Sequence, residues 1–216
     1  HPTSTRSVGA LPRRVDLVTV TDIIAPLARL VTDLSPLEAA GAALGIVYVV
    51  LAVKEIRWCW AFAFVSTALY LAVFARAGLV MQAGLQAYFL AVAVYGWWAW
   101  TGDSGDRPIT SGAWIGQVLG IAGVALISEA TARILAAETH SVDPRLDALT
   151  TWASVYATWL QARKIRQNWL WWIGIDLVIA WLCLRHGLYL SALLYSLFVG
   201  LAALGWRAWR PAMSRG

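Results

Sequence analysis

Charge is what this chain has least of. Only 13% of its 216 residues are charged, against roughly 25% in a soluble domain. No polar stretch is long enough to form a second domain, so a single compact unit is expected. Cysteine is nearly absent as well: Cys59 and Cys183 stand alone, without CxxC spacing or a histidine neighbour, which excludes a disulfide framework and a metal site and leaves two small apolar packing residues. The three histidines lie at the terminus (His1), in a loop (His140) and at a helix end (His186). With no His near a Ser or Cys and no HExxH, the chain lacks the parts of an intramembrane enzyme, and no cofactor is expected. An ion channel would need a filter loop or a ring of charges, and one Asp in one helix argues against it unless the protein oligomerises.

Apolar residues take the space. They make up 60% of the chain, the mean hydropathy is +0.64, and uncharged runs such as Trp58 to Ala75, Ala113 to Ile127, Trp169 to Leu184 and Gly187 to Gly205 approach the ~20 residues that a helix needs to cross a bilayer. The chain reads as an all-α, polytopic membrane protein. Residues 1–35 form an N-terminal tail in which Val15 to Leu34, carrying Asp16, Asp22, Pro26, Arg29 and Asp33, is too polar to span and is expected to lie along the membrane as an interfacial helix. No small-residue cleavage site follows a clean apolar core there, so no signal peptide is expected. Seven spans follow, opened by the Ser35-Pro36 helix start: about Leu37 to Val53, Trp58 to Phe74, Leu79 to Trp100, Gly112 to Ala136, Leu146 to Gln161, Trp169 to Leu184 and Leu188 to Trp209. Residues 210–216 are a short tail.

An internal repeat organises the spans. Sliding the chain by 109 positions superposes Ile56-Arg57 on Ile165-Arg166, Trp60 on Trp169, Arg76 on Arg185, Gly78-Leu79 on Gly187-Leu188, and Gly96-Trp97 and Trp100 on Gly205-Trp206 and Trp209, among fourteen identities in 45 positions. The repeat covers three helices, about 36–100 and about 146–209, with the helix of about 112–136 as a linker. An odd linker between odd repeats leaves both halves pointing the same way, a 3+1+3 arrangement of parallel repeats.

Basic residues set the orientation. Lys54, Arg57, Arg107, Arg163, Lys164, Arg166, Arg207, Arg210 and Arg215 lie on one side, and Arg29, Arg76, Arg133, Arg145 and Arg185 on the other, the distal tail aside. Nine against five put the N-terminus outside and the C-terminus in the cytoplasm. The net charge of +5 is thereby explained without nucleic acid; the partners expected are a small-molecule substrate and membrane lipid, with homo-oligomers left open. Of fourteen Trp, eight (Trp58, Trp60, Trp97, Trp98, Trp100, Trp114, Trp206 and Trp209) lie near span ends and are expected in the interfacial belt.

The polar anomaly is Gln167 to Asp176, Gln-Asn-Trp-Leu-Trp-Trp-Ile-Gly-Ile-Asp. Spacing of four residues lines Asn168, Trp172 and Asp176 along one helix face, and an Asp at a helix centre costs about 2.5 to 3.5 kcal/mol on insertion. Such a residue needs a partner or a purpose. Trp172 and, nearer the surface, Trp169 could stack on a flat ring; Gln86, Asn168, Tyr95 and Tyr195 could face a ligand or act as interhelical hydrogen-bond glue. Asp176 could meet a ligand's charge or pair with a protein donor. Two three-helix bundles side by side offer a binding site between them, near the midplane.

Arg163-Lys164 followed by Asn168-Trp169-Leu170-Trp171-Trp172-Ile173 and Asp176, then Gly187 to Tyr195 and Gly205-Trp206 to Trp209, with Ser35-Pro36-Leu37-Glu38, Arg57-Trp58-Cys59-Trp60 and Gln86 ahead of Tyr95-Gly96-Trp97-Trp98, resemble the PnuC family of nicotinamide riboside transporters. The resemblance covers about Ser35 to Trp209. It implies a SWEET-like seven-helix protein of the inner membrane that lets nicotinamide riboside enter by facilitated diffusion, for NAD biosynthesis. It also implies that Asn168, Trp169, Trp172, Asp176 and Gln86 line the substrate, with Tyr95 and Tyr195 as weaker members. Gln82, a turn before Gln86, departs from the acidic residue common there. Relatives of the family carry other vitamins, including thiamine and riboflavin, so the same fold with another vitamin is the alternative.

Overall fold

The computed structural model describes residues 36–76, 80–100, 108–138 and 143–210; the interfacial helix expected within 15–34 lies outside them. Seven helices account for most of the described residues: α1 (Pro36–Val53), α2 (Cys59–Arg76), α3 (Val80–Ala99), α4 (Trp114–Glu138), α5 (Pro144–Ala162), α6 (Asn168–Arg185) and α7 (Tyr189–Ala208). Proline opens α1 and α5, where its missing N–H costs nothing. Outside the helices, the one isolated bridge described joins Thr110 to Ile165.

By length and composition four of the seven can cross a bilayer alone: α2, α4 over Trp114–Ile134, α6 and α7. The first helix offers a shorter apolar stretch, Ala39–Val53. Gln82 and Gln86 dilute α3, and Thr150, Thr151, Ser154, Thr158 and Gln161 dilute α5. Three of the α5 polar groups, Ser154, Thr158 and Gln161, are buried against other helices, and Thr158 Oγ1 returns a 2.7 Å hydrogen bond to the Ser154 carbonyl. A helix too polar for hydrocarbon is here held inside the protein.

Neighbours in sequence pack together, α1 on α2 and α2 on α3, then α5 on α6 and α6 on α7, with α4 lying on α5. The two groups meet where α1 touches α7 and α3 touches α5. Trp60, Trp100, Trp169 and Trp209 sit together at that seam. Trp100 and Trp209, equivalent in the repeat, face each other at 6.3 Å, and each meets a tryptophan of its own half edge-on, Trp60 on Trp100 at 5.4 Å and Trp169 on Trp209 at 5.3 Å. Gly96 and Gly205 make room for this, since a Cβ at either would overlap the ring of Trp60 or Trp169.

This corrects the interfacial-belt expectation for Trp60, Trp100 and Trp209, all of which are buried. Depth along a helix says how close a ring is to the membrane surface, but not whether lipid or another helix stands opposite. Trp58, Trp98 and Trp114 do face outward, at 55%, 70% and 79% exposure.

The ends of α1 and α5 are built alike. Ile56 N–H reaches back to the Leu51 carbonyl and Glu55 N–H to that of Ala52; Ile165 N–H reaches Leu160 and Lys164 N–H reaches Gln161. Both are Schellman caps, whose left-handed position usually belongs to Gly. Here Glu55 (φ 56°) and Lys164 (φ 54°) occupy it, although the same cap at the end of α6 uses Gly187 (φ 73°).

Candidate substrate cavity

A cavity of about 290 Å³ lies at the seam, walled by α1, α2, α3, α5, α6 and α7. Its α1 wall is Gly41, Ala42, Gly45, Tyr48 and Val49; Tyr70 and Phe74 come from α2 and Gln86 from α3. Gln161 enters from α5, Trp169, Trp172 and Asp176 from α6, and Leu194, Tyr195, Phe198 and Ala202 from α7. Small residues on α1 let the wall approach closely: Ser66 Oγ donates to the Gly41 carbonyl at 2.8 Å, and a Cβ on Gly41 would stand 2.9 Å from the Tyr70 ring.

The polar groups are few and positioned. Trp172 Nε1 donates to Gln161 Oε1 at 3.1 Å, and the Tyr48 hydroxyl faces the same Gln161 side chain. Asp176, 5% exposed, supplies the only carboxylate among the described residues of the wall, and those residues include no Lys, Arg or His. Tyr195 stands within electrostatic reach of Asp176, with Tyr70 and Cys183 nearby. No ion pair to Asp176 forms among the described residues. The chemistry on offer is a set of aromatic rings with the amides of Gln86 and Gln161 and the carboxyl of Asp176.

Five of the seven expected residues, Gln86, Trp169, Trp172, Asp176 and Tyr195, meet in this wall. Two do not. Asn168 is fully buried at the start of α6, its Nδ2 donating to the Ile165 carbonyl at 2.7 Å. Tyr95 is 38% exposed and stacks on Trp159 at 5.5 Å, away from the cavity. Spacing of four residues put Asn168 in line with Trp172 and Asp176, but its amide turns back onto its own cap. Trp171 packs on the far side of α6, donating to Gln117 Oε1 at 3.1 Å.

Tyr48, Tyr70, Phe74, Phe198 and Gln161 were not singled out from the sequence. The signal for Gln161 was present: Ser154, Thr158 and Gln161 follow i, i+4, i+7 on one face of a helix otherwise bound for the membrane.

A wider groove, about 680 Å³, runs outside this wall between α4, α6 and the end of α7. Its polar groups serve one another: Gln167 Nε2 donates to Ser111 Oγ and the Gly112 carbonyl, and Gly112 N–H to Gln167 Oε1. It contains no charged residue among the described ones, and we assign it no role in recognition.

Known proteins resemble this chain along nearly its whole length. A riboflavin/roseoflavin transporter, RibM of Streptomyces davaonensis, is 29% identical over 178 residues, 80% of this chain and 83% of that protein. A nicotinamide riboside transporter, PnuC of Escherichia coli, is 26% identical over 213 residues, 85% of this chain and 89% of its own. The crystal structure of a vitamin B3 transporter PnuC superposes with a TM-score of 0.68 at 21% identity, covering 90% and 88% of the two chains. Residues 35–211 match the model of one family, described as nicotinamide mononucleotide transporter. With that match running from the start of α1 past the end of α7, the chain belongs to this family of multi-pass membrane transporters.

Proposed function

We propose that the protein carries nicotinamide riboside across the cell's inner membrane by facilitated diffusion, binding it in the cavity between two parallel three-helix bundles. In this reading α1–α3 and α5–α7 are the repeats and α4 the linker, the N-terminus is outside, and the C-terminus is cytoplasmic. The matching chain ends at α1 and α5 and the excess of basic residues beside α1, α3, α5 and α7 support it.

The observation that carries the substrate assignment is Asp176 in an aromatic wall with no cationic neighbour among the described residues. The pyridinium ring of nicotinamide riboside is flat and positively charged, so it can stack on Trp172 while its charge meets the carboxylate. Gln86, Gln161 and Tyr195 then hydrogen-bond the carboxamide and ribose. A mononucleotide would add a phosphate that nothing basic in the wall compensates. The isoalloxazine of riboflavin is uncharged and would meet Asp176 only as a hydrogen-bond donor, without the attraction between opposite charges. Asn168 and Tyr95 support the site from behind the wall, Asn168 by fixing the start of α6 and Tyr95 by packing on Trp159 of α5.

The second reading, riboflavin, is favoured by the RibM relative. Calorimetry on purified protein with nicotinamide riboside, nicotinamide mononucleotide, riboflavin and thiamine separates the two. Nicotinamide riboside is expected to bind, and Asp176→Asn to weaken it at least about tenfold, the loss of one charge-assisted contact. Riboflavin binding with no response to nicotinamide riboside overturns the assignment. Thiamine, also a cation, binding more tightly would change the vitamin while leaving the role of Asp176.

A further inference from the structure

The cavity stops abruptly at one end. Its wall follows α1 only as far as Val49, and its floor is made by Gln161, Trp169 and Ala202. Directly beyond lie the other seam tryptophans, Trp60, Trp100 and Trp209, and the links between α1 and α2 and between α5 and α6. Three contacts cross the seam there. Trp100 Nε1 donates to the Ala162 carbonyl at 3.1 Å, Trp209 Nε1 donates to the Ala52 carbonyl at 3.3 Å, and Lys164 Nζ pairs with Glu55 Oε2 at 3.6 Å.

Glu55 and Lys164 are 109 residues apart, the repeat offset, and both hold left-handed caps. Equivalent turns of the two halves thus meet through opposite charges. The Lys164 side chain is 7% exposed, and its ammonium also lies 4.9 Å above the Trp100 ring. Holding a charged residue where glycine fits the backbone better is the kind of local strain that persists at switch regions.

The closed seam leaves needs unmet. Trp60 Nε1, Trp169 Nε1 and Asn168 Oδ1 are buried without a hydrogen-bond partner, all on or beside the tryptophan cluster. Parting the halves would wet these three atoms while breaking the ion pair, so the two costs oppose each other and neither state is locked in.

Among the described residues the halves are not equally anchored. Thr110 N–H donates to the Lys164 carbonyl at 3.1 Å and Arg166 N–H to the Thr110 carbonyl at 3.0 Å, stitching the α5–α6 link to the segment before α4. The equivalent Ile56 of the α1–α2 link is 39% exposed.

We propose that the Glu55–Lys164 pair, seated on Trp100 and Trp209, is the gate that closes the cavity toward these links, and that it opens by the α1–α2 turn swinging away from the anchored α5–α6 turn.

Cys59 reports on this. It is fully buried beside Trp60 and close to Lys164, so opening would expose its thiol. In full-length purified protein carrying Cys183→Ala, the labelling rate of Cys59 by a small charged methanethiosulfonate is measured with no substrate present. Labelling is expected to be slow in the parent, at least about tenfold faster in Lys164→Glu, where two acids face each other, and slow again in Glu55→Lys with Lys164→Glu. Glu55→Gln removes the charge with little change of shape and carries the same test, with faster labelling expected, if Lys164→Glu does not purify as a single species. Parent-like labelling in the single variants overturns the gate, as does a charge-swapped protein that labels as fast as Lys164→Glu. Because no substrate enters the experiment, its outcome is independent of which vitamin is carried.

Discussion

The Gln161 amide takes a hydrogen bond from Trp172 Nε1 at 3.1 Å and faces the Tyr48 hydroxyl, joining α1, α5 and α6 through one side chain. Gln161→Leu keeps the volume but leaves the indole N–H of Trp172 without its acceptor, which costs about 1–3 kcal/mol when the donor stays buried. If Trp172 stacks on the substrate, that loss appears as an affinity for nicotinamide riboside weakened about tenfold or more by calorimetry, while Gln161→Glu, which keeps an acceptor, retains more of it. The neighbouring glycine is a steric matter. Gly205→Ala would drive a Cβ into the Trp169 ring, which is 1% exposed and has nowhere to go; overpacking of this kind costs about 1–3 kcal/mol. Gly200→Ala, with nothing within 4 Å of its Cβ, should leave the thermal unfolding midpoint near that of the parent. At this scale the sequence revealed residues whose chemistry is unusual for their depth, such as Asp176 and Trp172. It missed those whose chemistry is ordinary but whose neighbours are not. Tyr48 and Phe198 read as any membrane aromatic until a helix from the other half is brought opposite.

Elements end here in ways that carry information. The caps of α1, α5 and α6 share one hydrogen-bond pattern, yet only α6 uses glycine at the left-handed position. An L-residue there costs roughly 1–2 kcal/mol, so Glu55 and Lys164 are retained against local preference. Two substitutions at Lys164 separate backbone from side chain. Both Lys164→Ala and Lys164→Gly remove the ion pair to Glu55, but only Gly also relieves the backbone. The Gly variant is therefore expected to be about 1 kcal/mol more stable than the Ala variant, with the same accelerated labelling of Cys59 in both. Thermal unfolding of the two in the same detergent checks this; an Ala variant as stable as the Gly variant would mean that the left-handed backbone stores no strain. A second element-level feature, the polar face of α5, shows why composition identifies four spans more readily than seven. A helix buried among helices has no need of an apolar surface all round, so its hydropathy reports its neighbours rather than its place in the membrane.

Across the whole molecule, the offset of 109 was legible because it preserved what the seam cannot vary: Gly96 and Gly205 beneath the indoles, Trp60 and Trp169 upon them, Trp100 and Trp209 between. What stayed illegible was the direction those rings face, since a one-dimensional pattern gives depth without a partner. The two halves are also less alike in energy than in sequence. Trp100 and Trp209 each donate to a carbonyl of the opposite half, at Ala162 and Ala52. The Ala52 carbonyl already accepts from Glu55 N–H at 3.1 Å. The Ala162 carbonyl has no such second donor among the described residues, because the amides that follow it turn elsewhere: Lys164 to Gln161, Ile165 to Leu160 and Arg166 to Thr110. Trp100→Phe therefore orphans a buried acceptor, at about 1–3 kcal/mol, whereas Trp209→Phe removes one of two donors and should lose only about 1 kcal/mol from the hydrogen bond. Both lose similar ring area, so the difference between the variants isolates the carbonyl. Measured by thermal unfolding of the purified protein, Trp100→Phe is expected to be the more destabilised of the two. Equal losses would show that the seam is symmetric in energy as well as in sequence, and the reverse order that the Ala162 carbonyl is satisfied by some group other than Trp100.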